Sequence, residues 1–247
     1  MEDLTGFTTV QVAAALSATF LSAFVRGLTG FGMAILLVPV LALAMLPVEA
    51  VLIANFVGVL IGLIEIRRLV RDAEKSAWTI CALVVLATPL GLWLLTITGP
   101  DLARLIIALV ALSAFAFILF PGQDDVTYGP VATGGVGVIS GLLTGFAGMP
   151  GPPVVPYYVG RALPRAIVTA SMLLIFTVAA AAGLVAGAVF GEMSWRLCLL
   201  GLTLFPAVLL GNWVGTKVSG RVSDSVWRIC VGVVLAGAAL AALYRLL

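Results

Sequence analysis

Two stretches of this chain combine glycine and proline in a way that frees backbone polar groups inside apolar sequence. Residues 26–39 read Arg-Gly-Leu-Thr-Gly-Phe-Gly-Met-Ala-Ile-Leu-Leu-Val-Pro, and residues 140–156 read Ser-Gly-Leu-Leu-Thr-Gly-Phe-Ala-Gly-Met-Pro-Gly-Pro-Pro-Val-Val-Pro. Pro150, Pro152 and Pro153 do not fit the interior of a regular helix, because each lacks an N–H and crowds the preceding turn. They are expected to flank a break. At a break the first N–H groups of the next half-helix have no partner, and the positive end of its dipole lies behind them. Such an end binds anions without a cationic side chain. Gly27, Gly30 and Gly32 in the first stretch, and Gly141, Gly145, Gly148 and Gly151 in the second, let backbone approach either a ligand or a neighbouring helix. Thr29 and Thr144 each precede a Gly-Phe pair, where a hydroxyl can cap a half-helix or meet a ligand oxygen. Phe31 and Phe146 are suited equally to walling a cavity and to packing.

Few charged residues accompany these motifs. Arg26 stands beside the first break, placed either to attract an anion or to anchor the helix end at the membrane surface. Arg161 and Arg165, after the second break, have the same two readings. Asn55 and Asn212 lie deeper in apolar sequence, to line a pathway or to bond across helices. Glu65, beside Arg67 and Arg68, reads first as a surface ion pair. No carboxylate is placed mid-segment for a proton relay. A coupled proton would travel with the substrate or use a terminal carboxylate such as Glu65.

Other chemistry is poorly supplied. The chain has no histidine, which removes His-based triads, metal sites and relays. Cys81, Cys198 and Cys230 are single residues in apolar runs and read as packing residues. No carboxylate cluster accompanies these motifs, and there is no phosphate-binding loop. An enzyme, an ATP-driven pump and a bound cofactor are therefore not expected.

The elements that position these motifs are membrane segments. The chain is 62% hydrophobic and 10% charged, with mean hydropathy +1.24, so most of it has lipid as its solvent. The net charge of +2 is scattered, giving no surface suited to nucleic acid. The sequence is also duplicated. Pro39, Pro47, Trp78, Cys81 and Pro89 each recur 117 positions later, as Pro156, Pro164, Trp195, Cys198 and Pro206. The expectation is one membrane domain over 1–247: repeat one at 8–120, a polar linker at 121–130 and repeat two at 131–247.

Apolar runs fall at 8–27, 32–46, 49–66, 77–98 and 102–120, then at 131–147, 151–162, 165–190, 195–216 and 225–246. The runs 32–46 and 151–162 are shorter than the roughly 20 residues of a spanning helix. They either cross as bent segments or re-enter. Irregular backbone at that depth must be buried in protein or line a cavity. Counting them as crossings gives five segments per repeat, and an odd number inverts the second copy. With the N-terminus outside, Arg26, the Arg67–Lys75 stretch, Arg161, Arg165, Lys217 and Arg221 gather inside, as the positive-inside bias requires. Glu2, Asp3, Glu49, Asp101 and Glu192 then lie outside. Asp124 and Asp125, placed inside, and Arg104, Arg196 and Arg245, placed near the outer face, run against the pattern. Four crossings per repeat with re-entrant short segments, giving parallel repeats, is the other arrangement. The acidic N-terminus is unlike a secretory signal, so the first run reads as a retained helix. The fold class is thus all-α and integral to the membrane, with two repeats of about five segments, inverted in the favoured version, each containing a short Gly/Pro-broken pair. Paired breaks of this kind are the sequence-level pointer to a transporter's binding site.

At these motifs the chain resembles the TauE/SafE family of sulfite and organosulfonate exporters. The matching residues are Gly27-Leu-Thr-Gly-Phe-Gly32 with Val38-Pro39, and Gly141, Thr144-Gly145-Phe146, Gly148 and Gly151-Pro152-Pro153 with Val155-Pro156. Pro150 takes the place of the first glycine of a Gly-Gly-Pro-Pro run that many members carry. The resemblance implies export of sulfite, sulfoacetate or a similar small anion across the bacterial inner membrane, driven by protons. An anion channel, or a permease working as an importer for another small anion, is the alternative. A channel predicts rings of like residues along a pore, which the sequence does not offer. The candidate substrate residues are Arg26, Gly27, Thr29, Gly30, Phe31, Gly32 and Asn55 in repeat one. In repeat two they are Thr144, Gly145, Phe146, Gly148, Gly151, Pro152 and Pro153. The partners expected are the anion, protons and lipid.

Overall fold

The computed structural model describes residues 8–119, 128–219 and 224–246, and its described elements are all helices. In chain order they are α1 (Thr9–Thr29), α2 (Met33–Ala44), α3 (Pro47–Asp72), α4 (Lys75–Ile97), α5 (Pro100–Leu119), α6 (Pro130–Ala147), α7 (Gly151–Val159), α8 (Arg165–Val189), α9 (Trp195–Val218) and α10 (Asp224–Leu246). Among the described residues, six helices are long and apolar enough to cross a membrane: α1, α3, α4, α6, α8 and α9. The side chains of Arg221, Cys230 and Arg245 lie outside the described residues, as do Glu2, Asp3, Asp124, Asp125 and most of the linker.

Local sequence explains the boundaries. Thr8 caps α1 through the N–H of Gln11, and Pro47 opens α3 at a position where a missing N–H costs nothing. Ser194 caps α9 through the N–H of Leu197. α1 ends at Gly30 and α6 at Gly148, both left-handed, with φ of 89° and 66°. The recurrent prolines occupy matched places. Pro39 and Pro156 lie inside the short helices α2 and α7, and Pro89 and Pro206 lie inside α4 and α9.

Both short helices are interior. α2 buries Met33, Leu36, Leu37, Val38 and Leu41 in one apolar cluster with α1, α3, α5 and α9. α7 buries Val154, Val155, Tyr157 and Tyr158 in a second cluster with α4 and α8. A short helix in lipid would leave its end groups unsatisfied, so enclosure by longer helices is the physical requirement.

Close crossings between the halves recur in exchanged form. α6 runs along α4 in the same direction, with Gly137 against Leu83, Gly141 against Ala87 and Gly145 against Thr88 and Leu92. α1 runs likewise along α9, with Gly211 against Phe20 and Gly215 against Phe24. α3 and α8, the third segment of each half, run in opposite directions, because Leu52 meets Gly187, Asn55 meets Gly183, Gly58 meets Ala180 and Gly62 meets Thr177. Small residues at these contacts let the backbones approach, which is what holds helices together where no hydrophobic drive separates protein from lipid.

Candidate anion site

The starts of α2 and α7 open on one cavity of about 80 Å³. That is room for a few water-sized groups, and so for a small ion. Gly32, Met33, Ala34 and Ile35 line it from α2, and Gly148, Met149, Pro150 and Gly151 from the approach to α7. α3 contributes Ala54, Asn55, Gly58, Ile61 and Gly62, α8 contributes Leu173, Phe176, Thr177 and Ala180, and Arg26 and Phe31 complete the wall.

The two breaks differ in chemistry. The chain enters α2 through Gly32 at φ 93°, a left-handed conformation that glycine adopts without strain. No side chain caps α2, so its first N–H groups are without intrahelical or side-chain partners. At the second break the N–H of Gly148 bonds the Thr144 carbonyl (2.9 Å), and that of Met149 bonds the Leu143 carbonyl (3.3 Å). Pro150, Pro152 and Pro153 have no N–H, which leaves Gly151 as the one donor among the first residues of α7. Free N–H groups were expected at both breaks. The prolines that cause the second break also strip it of donors, so α7 contributes mainly its dipole while α2 brings the N–H groups. Ser140 fixes this second break by donating to the buried Pro150 carbonyl (3.0 Å).

Arg26 is the one cation lining the cavity, with its side chain 9% exposed. One guanidinium nitrogen donates to Asn212 Oδ1 (2.7 Å) and the other lies 3.4 Å from Glu65 Oε1. Glu65 Oε2 in turn accepts from Arg68 (2.6 Å). Asn55 is buried against Gly183, and its Nδ2 has no hydrogen-bond partner among the described residues. A buried amide donor left unmatched costs about 1–3 kcal/mol; this one points at the Gly183 backbone, 2.3 Å from where a Cβ would stand there.

Of the residues singled out from sequence, Arg26, Phe31, Gly32, Asn55, Gly148 and Gly151 line the cavity; Gly27, Thr29, Gly30, Thr144, Gly145, Phe146, Pro152 and Pro153 do not. A Cβ on Gly27 would lie 2.3 Å from the Asn212 carbonyl oxygen, and one on Gly145 2.1 Å from that of Thr88. Both are therefore helix-crossing glycines. Thr144 is buried and donates to the Ser140 carbonyl (2.7 Å). The Thr29 hydroxyl sits within the first break, 2.7 Å from the Phe31 carbonyl oxygen. Neither threonine caps the helix that follows, because each is turned back onto its own chain. Phe146 packs against the apolar cluster around α2. Beyond Asn55, sequence reasoning passed over the α3 wall, and it passed over that of α8 entirely. Their signal was the four-residue spacing of Gly58 and Gly62, one turn beyond Asn55.

A second polar cluster joins the halves at the far end of α7. Arg161 binds Glu74 at 2.8 and 3.2 Å and lies over the rings of Tyr157 and Tyr158, at 5.3 and 5.8 Å. Glu74 also accepts from Ser76, and its N–H donates to Ser171 Oγ (2.9 Å). Burial raises the Glu74 carboxyl, but the hydrogen bonds from Arg161 and Ser76 outweigh it and leave the group below its ordinary range. The same pairing holds Arg161 above its ordinary value.

A family model described as Sulfite exporter TauE/SafE matches residues 15–242. The chain belongs to the TauE/SafE family. Its long apolar helices accord with a multi-pass membrane transporter of that family. No curated protein and no solved structure matches this TauE/SafE chain.

Proposed function

We propose that the protein is a secondary-active transporter that exports a small sulfur-containing anion, such as sulfite, sulfoacetate or a related organosulfonate, across the bacterial inner membrane in exchange with or alongside protons. One observation carries the reading. The uncapped start of α2, the start of α7 and the Arg26 guanidinium all meet at one small, largely apolar cavity. Each of these three features favours negative charge. The anion would be held by Arg26, Asn55 and the backbone at Gly32 and Gly151, with Phe31 beside it. Gly27, Thr29, Gly30, Thr144, Gly145, Phe146, Gly148, Pro152 and Pro153 would shape the breaks and crossings around it.

The repeats are read as inverted and the cycle as alternating access. The opposed directions of α3 and α8, and the exchanged pairs α4 with α6 and α9 with α1, support that reading. In such a protein one bundle rocks against the other around a fixed midplane site. The test is uptake of labelled sulfite and of ethanesulfonate into proteoliposomes, with and without an imposed pH gradient. Accumulation of one anion that follows the gradient is expected. Uptake that merely equilibrates, without saturation, would favour a channel.

A further inference from the structure

We infer that the site selects singly charged anions and that Glu65 sets this limit; the inference rests on the anion site proposed above. Arg26 is the one charged residue lining the cavity, and the polar side chains beside it on the wall, Asn55 and Thr177, are neutral. The Thr177 hydroxyl donates to the Leu173 carbonyl (2.8 Å). Met33, Ile35, Ile61, Met149, Leu173 and Phe176 contribute apolar side chains. Asn212 and Glu65 take up two of the five guanidinium N–H groups of Arg26, so others remain to meet an anion.

Charge fixes what such a wall can hold. Glu65 lies between two arginines, 3.4 Å from Arg26 and 2.6 Å from Arg68. Two cations against one carboxylate leave this cluster a net charge of +1. The Arg68 side chain is 53% exposed, so water screens it, and it offsets Glu65 without adding a second cation to the wall. One negative charge on the ligand therefore neutralises the cluster. A second would lie among apolar side chains with no cation to match it, and burying an unpaired charge costs far more than burying a neutral group. The neighbouring helices do not supply the missing cation. α2 and α7 have no charged residue, and the single one of α8, Arg165, stands at its first position. On α9, Lys217 lies over Trp213 and Arg196 over Trp195. Further along α3, Arg67 is exposed and Arg71 is paired with Asp72. Sulfite would then bind as hydrogensulfite, and an organosulfonate would bind when its sulfonate is its only charge.

Sulfoacetate and its amide, carbamoylmethanesulfonate, share a shape and differ by one charge. In proteoliposomes with equal pH on both sides, wild type is expected to carry the amide at least about tenfold better, measured as counterflow at subsaturating concentration. Equal counterflow of the two would overturn the inference. Hydrogensulfite loses its proton near neutral pH, so sulfite counterflow, corrected for flux into protein-free liposomes, should fall roughly tenfold per unit of pH above that point. Ethanesulfonate keeps its charge over this range and should hold steady. Sulfite counterflow that stays as level as that of ethanesulfonate overturns the inference too, and decides it alone if the two-carbon pair is too large to enter. Glu65→Gln leaves Arg26 unshared and should narrow the preference for the amide to within about threefold. An unchanged preference in the folded variant overturns the assignment to Glu65. Should that variant not fold, Arg68→Gln makes Glu65 bear on Arg26 alone, and ethanesulfonate counterflow should weaken by about threefold; no change would overturn the assignment equally. Wild-type counterflow of neither ethanesulfonate nor sulfite would remove the anion site itself, and this selectivity with it.

Discussion

At the scale of single residues, the proposed anion site depends on one buried guanidinium. Arg26 is matched by Asn212 and Glu65, and it is the one charged residue lining the cavity. Replacing it removes the strongest attraction for an anion. Charge-assisted hydrogen bonds contribute about 1.5–3 kcal/mol, so Arg26→Ala is expected to weaken anion transport by roughly ten- to a hundredfold in apparent affinity. Counterflow in proteoliposomes, with membrane insertion checked separately, measures this; full activity at every anion concentration would take Arg26 out of the site. The Glu74–Arg161 pair makes a different prediction. The folded Glu74 carboxyl lies below its ordinary range, so its contribution is present above that range and is lost as pH falls through the lowered value. Thermal unfolding in detergent should show a midpoint that drops on acidification in wild type and drops less in Glu74→Gln.

At the scale of elements, helix crossings decide which glycines are tolerant. The α4–α6 crossing is so close that any side chain at Gly145 would meet the Thr88 carbonyl and the Leu92 N–H. Overpacking of this kind costs about 1–3 kcal/mol or more. Gly145→Val should therefore lower the unfolding midpoint and the yield of folded protein, without a selective effect on anion affinity. An unchanged midpoint would show that the crossing can open. The contrast with Gly32 is instructive. Nothing lies within 4 Å of a Cβ placed there, and the demand is instead its φ of 93°. One glycine is set by its neighbours and the other by its backbone.

At the scale of the whole molecule, the opposed α3 and α8 place the turn after α3 and the turn after α8 at opposite ends of that helix pair. Single cysteines at Lys75 and at Glu192 should then label from opposite sides of the membrane. Labelling from the same side would end the inverted arrangement. Trp78 and Trp195, in the first turns of the matched helices α4 and α9, are 49% and 61% exposed. Aromatic side chains so placed suit the lipid–water interface on the two faces.

The sequence by itself determined the helices and their approximate limits, because a spanning segment must satisfy its backbone internally and glycine and proline mark where it does not. It also carries three prolines, a tryptophan and a cysteine that recur at one constant offset, and the recurrent prolines fall at matched places in the helices. The site was legible only in part, and for a physical reason. Arg26, Gly32, Asn55 and Gly151 belong to segments distant in sequence, and periodicity records which face of a helix is apolar but not which helix it meets. Only the tertiary structure decided that Gly27 and Gly145 sit at close helix crossings, since a glycine's surroundings depend on what approaches it. Only packing brought Phe176 and Thr177 of α8 to the cavity and Glu65 to Arg26. Those contacts join elements far apart in the chain, and no local pattern specifies them.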